Sequence, residues 1–312
     1  MNLLRSIADL HRVDGPLYLA IGVFDGVHLG HQAVIQCALD HAKAEKGTAV
    51  VVTFDPHPAR VLRPDQAPRL LTATEHKIRL IATLGVEHLL TIHFDRAFAE
   101  TPPAEFIHQL AEAAHPLEEI CVGYEWCFGK GRAGNLELLR TLGDELGFRE
   151  IGVPAVKIDD QIVSSTLIRS AVEAGDLIAA ARYLGREYTI LGSIVVGDKL
   201  GRKLGFPTAN ISAHSEQFPP NGVYAVEAQW REQRLGGVAN IGVRPTIQHA
   251  NGHRLLEVHL FDFDGDVYGE EIEVSFRHRL RGEKKFAGLD ELRAQIARDA
   301  GEARALLSAA NQ

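Results

Sequence analysis

Apolar and polar positions follow two different rhythms along this chain, and the change between them divides it. In the first part, short apolar runs at 17–24, 48–54, 89–93 and 120–123 each precede a stretch with helical spacing. The stretch 31–46 sets Val34, Ile35, Ala38, Leu39 and Ala42 on one helix face. A second helix is predicted through residue 84, where Thr72 and Glu75 have capping-box spacing. A third runs to about residue 114 from Thr101-Pro102, an N-cap followed by proline. A fourth opens at Asn135 and stops at Gly147. This alternation predicts a doubly wound parallel sheet with helices on both faces and ligands at the carboxyl ends of the strands. Two further helices follow, from Ser165 or Thr166 to Gly175 and from Asp176 to Leu184. Beyond Gly185 the apolar runs become short and β-rich, at 190–196, 222–230, 235–241, 255–261 and 271–276. Turn signals such as Asp264-Gly265 separate them, which predicts a small antiparallel barrel or sandwich. One helix, 290–308, closes the chain, with Leu292, Ile296, Ala303 and Leu307 toward its packed face. The expected domains are 1–184 and 185–312.

Composition narrows the partners. At 312 residues the chain is too long for one ordinary core, and 46% hydrophobic with 24% charged residues is a globular balance. Lys plus Arg total 33 against 41 for Asp plus Glu, a net charge of −8. That argues against a general nucleic-acid binder but leaves room for a local basic pocket that takes small anions. The 3 cysteines are scattered, with neither a disulfide framework nor a zinc spacing. The first residues do not read as a signal peptide, and no apolar run reaches the roughly 20 residues that span a bilayer. A cytoplasmic protein with no membrane partner is expected.

The first chemical cluster is Gly22-Val23-Phe24-Asp25-Gly26-Val27-His28-Leu29-Gly30-His31, where a strand passes into a helix. Backbone N–H groups and the helix dipole favour an anion there. His28 and His31 can donate to phosphate oxygens and stabilise charge on a transferring phosphoryl group. HExxH is absent, and the stretch around Gly129-Lys130 lacks the spacing and the Ser or Thr of a P-loop. The string resembles the HxGH signature of nucleotidyltransferases, and more closely the FAD synthetase module of bacterial bifunctional riboflavin kinase/FMN adenylyltransferases. The resemblance implies that Gly22, Phe24, Asp25 and Gly30 meet ATP. Thr53-Phe54-Asp55-Pro56-His57-Pro58 resembles the family's FDPHP segment and implies flavin contacts from His57 and Pro58. The segment 123–134 is similar to a flavin- and nucleotide-facing loop, implying roles for Glu125, Phe128 and Arg132. Glu125 and Trp126 depart from the family's usual Asp or Asn and Phe. Ser164-Ser165-Thr166-Leu167-Ile168-Arg169 resembles SSTxIR, implying that Ser164, Ser165, Thr166 and Arg169 hold ATP phosphates.

The second cluster runs from Gly197 to Asn210, a glycine-rich basic loop that ends in Phe206-Pro207-Thr208-Ala209-Asn210. Thr208 and Asn210 alternate along extended chain, so both can face one site and offer neutral oxygens to Mg²⁺ bound to ATP. The string is similar to the GRxLGFPTAN signature of riboflavin kinases, which implies that Gly201, Arg202 and Gly205 face the nucleotide. The segment 237–246 is similar to GVxNIGxRPT, implying flavin contacts from Asn240 and Arg244. Glu257 and His259 alternate on one strand face, and Glu257 stands where the family has its catalytic base. The basic run 277–285 reads as a solvated loop, with Arg281 implied as a flavin contact by the resemblance. Asp262, Asp264 and Asp266 do not have EF-hand spacing.

Together these motifs imply an N-terminal Rossmann-like FMN adenylyltransferase domain and a C-terminal riboflavin kinase β-barrel. Riboflavin, FMN and ATP with Mg²⁺ would be the substrates, and the oligomeric state is left open. The alternatives are another HxGH nucleotidyltransferase with an accessory β domain, and a flavin-binding regulator without catalysis.

Overall fold

The computed structural model describes residues 1–196, 205–214, 217–243, 254–263, 265 and 267–309. The chain forms two compact units, Met1–Arg69 with Thr74–Ser165, and Leu70–Ala73 with Thr166–Gln312.

The first unit is built on a six-stranded parallel sheet. Its strands are β1 (Asn2–Leu4), β2 (Leu17–Ile21), β3 (Thr48–Asp55), β4 (His88–His93), β5 (Leu117–Gly123) and β6 (Arg149–Val153), in the order β1-β4-β3-β2-β5-β6. Every residue of β2 is buried, as a central parallel strand requires. Alternate residues serve opposite faces. Tyr18 and Ala20 pack with Val34, Ile35 and Ala38 of α1 (Leu29–Glu45), and with Leu80 and Ile81 of the helix Thr74–Ala82. Leu17, Leu19 and Ile21 pack with Phe106 and Leu110 of the helix Pro103–Ala113, and with Leu139 and Leu142 of the helix Leu136–Leu146. The sheet is thus covered on both faces, as the alternating pattern predicts. From β2 the chain winds one way through β3 and β4 and later the other way through β5 and β6. The reversal puts the topological switch point at the carboxyl ends of β2 and β5.

Expected and observed elements differ at the edges. The run 17–24 stops as a strand at Ile21, because Phe24, Gly26 and Val27 adopt positive φ of 54°, 86° and 41°. β1 and β6 escape the pattern reading because edge strands this short carry little apolar alternation. A small hairpin, β7 (Lys157–Ile158) and β8 (Gln161–Ile162), follows the sheet.

The second unit takes in the helix Ser165–Ala174 from Thr166 onward and the helix Leu177–Leu184, and Gly185 ends the latter in a left-handed turn at φ 69°. A closed antiparallel barrel follows, in the order β10-β13-β12-β11-β14-β9. Its strands are β9 (Thr189–Val195), β10 (Ala209–Ala213), β11 (Gly222–Trp230), β12 (Gln233–Val243), β13 (Arg254–Leu260) and β14 (Glu271–Arg281). Ile211, Tyr224, Ala239, Ile241, Leu256 and Val258 fill its interior. The C-terminal helix, Leu289–Ala309, lays Ala303 and Leu307 against Ala225 and Phe261. Of the basic run 277–285 expected as a loop, 277–281 is instead the second half of β14, while Lys284 and Lys285 lie beyond it. Strand pairing holds Arg279 and Arg281 opposite β11, and Arg277 forms ion pairs with Glu187 and Glu227. Gly201, Arg202, Arg244 and the Asp264 half of the expected hairpin turn lie outside the described residues.

Candidate active sites

In the first unit, three of the motif segments leave the sheet side by side. β3, β2 and β5 are neighbours, so 53–58, 22–31 and 123–134 all start from one edge of the sheet. The segment after β2 is shaped by side-chain contacts. His28 is the N-cap of α1, and its Nδ1 accepts the backbone N–H of His31 at 3.3 Å. The two imidazoles stack with centroids 3.5 Å apart, and Phe24 meets the His31 ring edge-on at 5.3 Å. Gly30 permits this arrangement, because a Cβ there would sit 3.1 Å from the His28 ring. Gly22 likewise leaves space for Phe24, whose ring would lie 2.7 Å from a Cβ. The result is two histidines at the open end of a 17-residue helix, where partial positive charge gathers. Asp25 is buried, and its carbonyl accepts the hydroxyl of Ser165, the last residue of the first unit, at 2.9 Å. Ser164 immediately precedes that helix, and Thr166 and Arg169 lie along it.

Sequence reasoning missed Lys77, which supports this loop from below. Its ammonium donates to Val23 O at 3.2 Å, Thr53 Oγ1 at 3.0 Å and Phe54 O at 3.2 Å. Burial pulls its pKa down to about 8, against the attraction of Asp25 and Asp55. Only a lysine on the buried side of an amphipathic helix could have signalled it, and such a residue reads as a helix-face irregularity until the fold closes over it.

The flavin-assigned residues of this unit behave differently from one another. His57 caps a short helix, Pro58–Leu62, by accepting Ala59 N–H at 3.1 Å. Glu125 and Arg132 are exposed. Phe128 is buried in an aromatic group with Phe106. The half-exposed face beside it belongs to Trp126, stacked on Phe128 at 4.4 Å. Trp126 is therefore the aromatic surface that this loop offers.

In the second unit, barrel register assembles the other cluster. Glu257 pairs with Asn210 of β10 on one side and with Asn240 of β12 on the other. Directly opposed residues share a sheet face, so the three side chains form one row. Leu256 and Val258 flank Glu257 and fill the barrel, so the row faces outward. Asn210 is 6% exposed, and its Oδ1 has no hydrogen-bond partner among the described residues. A buried amide oxygen left this way fits a hard cation that takes oxygen ligands. His259 Nδ1–H donates to Pro207 O at 2.8 Å and the ring meets Phe206 edge-on, which fixes the chain just before Thr208. Thr208 lines a cavity of about 530 Å³ with Pro207, Leu260, Phe263 and Tyr268. Gly205 has φ 87°. Arg281 does not offer a bare guanidinium: it grips the buried Asp299 of the C-terminal helix in a two-pronged pair, with Nη2–Oδ2 at 2.8 Å.

A helix start that carries two histidines at a switch point, followed by a barrel with a carboxylate between neutral oxygen donors, defines a two-domain phosphate-transferring enzyme. Comparison with known proteins makes it specific. Residues 11–167 match the FAD synthetase family model, and residues 184–307 match that of riboflavin kinase. The chain is 40% identical over 301 residues to the bifunctional riboflavin kinase/FMN adenylyltransferase of Escherichia coli K12, covering 96% of each chain. It is 38% identical to the protein of that name from Haemophilus influenzae, covering 99% of this chain and 100% of that one. A crystal structure described as a macrolide-efflux protein from Streptococcus pneumoniae is similar at a TM-score of 0.83 and 29% identity, covering 97% and 98% of the two chains. Among the described residues no helix is long and apolar enough to cross a membrane. This chain belongs to the bifunctional riboflavin kinase/FMN adenylyltransferase family.

Proposed function

We infer that the second unit phosphorylates riboflavin to FMN and the first adenylylates FMN to FAD, with ATP as donor in both. The observation that carries this reading is the register Asn210–Glu257–Asn240, which joins three separate motifs into one row. In the kinase step, the primary hydroxyl of riboflavin attacks the γ-phosphorus, the bond to the bridging oxygen breaks, and ADP leaves. Glu257 accepts the hydroxyl proton. Thr208 and Asn210 would hold Mg²⁺, which offsets phosphate charge when bound. Gly201, Arg202 and Gly205 approach the ATP phosphates, while Asn240, Arg244 and Arg281 border the flavin.

In the adenylylation step, an FMN phosphate oxygen attacks the α-phosphorus of a second ATP, and pyrophosphate leaves. His28 and His31 donate to the phosphate oxygens as charge develops there, with the α1 dipole behind them. Gly22, Phe24, Asp25 and Gly30 shape the nucleotide site, and Ser164, Ser165, Thr166 and Arg169 take its phosphates. His57, Pro58, Glu125, Phe128 and Arg132 border the flavin. We set the functional boundary at 184/185, between the last helix and β9, and assign the protein to the cytoplasm with small-molecule substrates, no nucleic-acid or membrane partner, and an oligomeric state left open.

The test is chromatography of the products formed from riboflavin, ATP and Mg²⁺. Wild type is expected to make FMN and FAD, Glu257→Ala neither, and His28→Ala with His31→Ala only FMN. Wild type that stops at FMN would refute the adenylylation assignment.

A further inference from the structure

Two elements of the first unit bring four potential metal ligands together away from the nucleotide loop. Cys37 and His41 lie one turn apart on α1, and Glu119 and Cys121 lie two apart on β5, so each pair shares a face. Their ligand atoms all fall within 4.8 Å of one another. Cys121 Sγ is 3.2 Å from Cys37 Sγ and 3.2 Å from Glu119 Oε1, and His41 Nδ1 is 2.6 Å from the same carboxylate oxygen. The other oxygen of Glu119 meets Arg149 at 3.2 Å, which fixes the carboxylate with Oε1 toward the thiols. Cys121 and Glu119 are buried, while the His41 side chain is 42% exposed, so an ion has a way in.

We propose that Cys37, His41, Glu119 and Cys121 form a tetrahedral site for a borderline-soft divalent cation, with zinc the best match. Two sulfurs, one imidazole nitrogen and one carboxylate oxygen are a zinc donor set, and the spacings require shifts of an ångström or less to surround an ion with bonds of roughly 2.0–2.3 Å. Binding forms two metal–sulfur bonds and releases the two thiol protons to solvent. A disulfide would use only the two sulfurs, whereas an ion would engage His41 and Glu119 as well. The role is structural. Cys37 lies six residues beyond His31 on α1, about 9 Å along the axis, so the ion would clamp to β5 the helix whose first turn carries the phosphate-facing histidines.

The experiment uses the full chain, reduced and stripped with a chelator, then titrated with Co²⁺ as a spectroscopic probe and with Zn²⁺ as competitor. The expected result is saturation at one ion per chain, with intense tetrahedral visible bands, a thiolate-to-cobalt charge-transfer band in the near ultraviolet, and bleaching by Zn²⁺. Cys37→Ser and His41→Ala should each weaken binding at least about tenfold, whereas Cys127→Ser should bind as wild type. Both test positions are on the half-buried side of the helix, and circular dichroism of the variants confirms that they fold. Absence of the charge-transfer band overturns the site, as does unchanged binding in folded Cys37→Ser. A Cys37–Cys121 disulfide that forms in air equally fast with and without Zn²⁺ also overturns it.

Discussion

Lys77 gives a sharp test of how the first unit is held together. Its ammonium is buried beneath the histidine loop and has three oxygen acceptors, yet burial still draws its pKa from 10.5 to about 8. At about 1.4 kcal/mol per tenfold change, that interval corresponds to about 3 kcal/mol. In the unfolded chain the amine keeps its proton up to about pH 10.5. Between about pH 8 and 10.5 the unfolded state therefore binds more protons than the folded one, and stability rises with pH there. Below about pH 8 the lysine is charged in both states and this gain is absent. Lys77→Met removes the titration, so its stability should lack that rise of about 3 kcal/mol. The chain has 2 tryptophans, Trp126 in the first unit and Trp230 in the second. In a Trp230→Phe background, tryptophan fluorescence during urea unfolding reports the first unit alone. The comparison is unfolding free energy at about pH 7 and about pH 10 for wild type and Lys77→Met. Parallel pH dependence in the two proteins would refute the reasoning, because it would mean that Lys77 titrates alike in folded and unfolded chain. Riboflavin phosphorylation by Lys77→Met should be unchanged, while FAD formation falls as the loop from Val23 to His28 loosens.

Three further outcomes follow from the geometry. Gly30→Ala sets a Cβ 3.1 Å from the His28 ring, displacing it by a few tenths of an ångström; FAD formation from FMN should fall about tenfold, with FMN formation intact, in a coupled product assay. Glu257→Gln keeps the shape of the Asn210–Glu257–Asn240 row but removes the carboxylate that we propose as the base, so riboflavin phosphorylation should drop about 10²- to 10⁴-fold while supplied FMN is still adenylylated. Asp299→Ala leaves Arg281 without its buried partner and should lower the stability of the second unit by about 3 kcal/mol, read from Trp230 fluorescence in a Trp126→Phe background.

Much of this protein is legible in the chain itself. The apolar runs with helical intervals dictate a parallel sheet, since each central strand must be buried on both faces and each crossover helix must cover one of them. Short alternating runs separated by turns dictate antiparallel pairing further on. The loop after β2 is legible because positive φ and close approach demand glycine at fixed places, and because histidines at a helix start face a favourable field. What remained hidden depends on contacts between residues distant in sequence. Nothing local marks Lys77 as the support of the Val23–Phe54 backbone, or Arg281 as the partner of Asp299. The basic run at 277–281 looks like a solvated loop until β11 pairs with it. Strand register alone decides that Asn210, Glu257 and Asn240 stand in one row, because a slip of one residue would send Glu257 into the barrel. Packing of α1 on β5 alone brings Cys37 to Cys121 across 84 positions of chain. The sequence determined the elements and the local chemistry of each loop, which depend on neighbours a few residues apart; tertiary structure decided which chemistries meet, because that depends on register and packing between segments whose separation along the chain carries no signal.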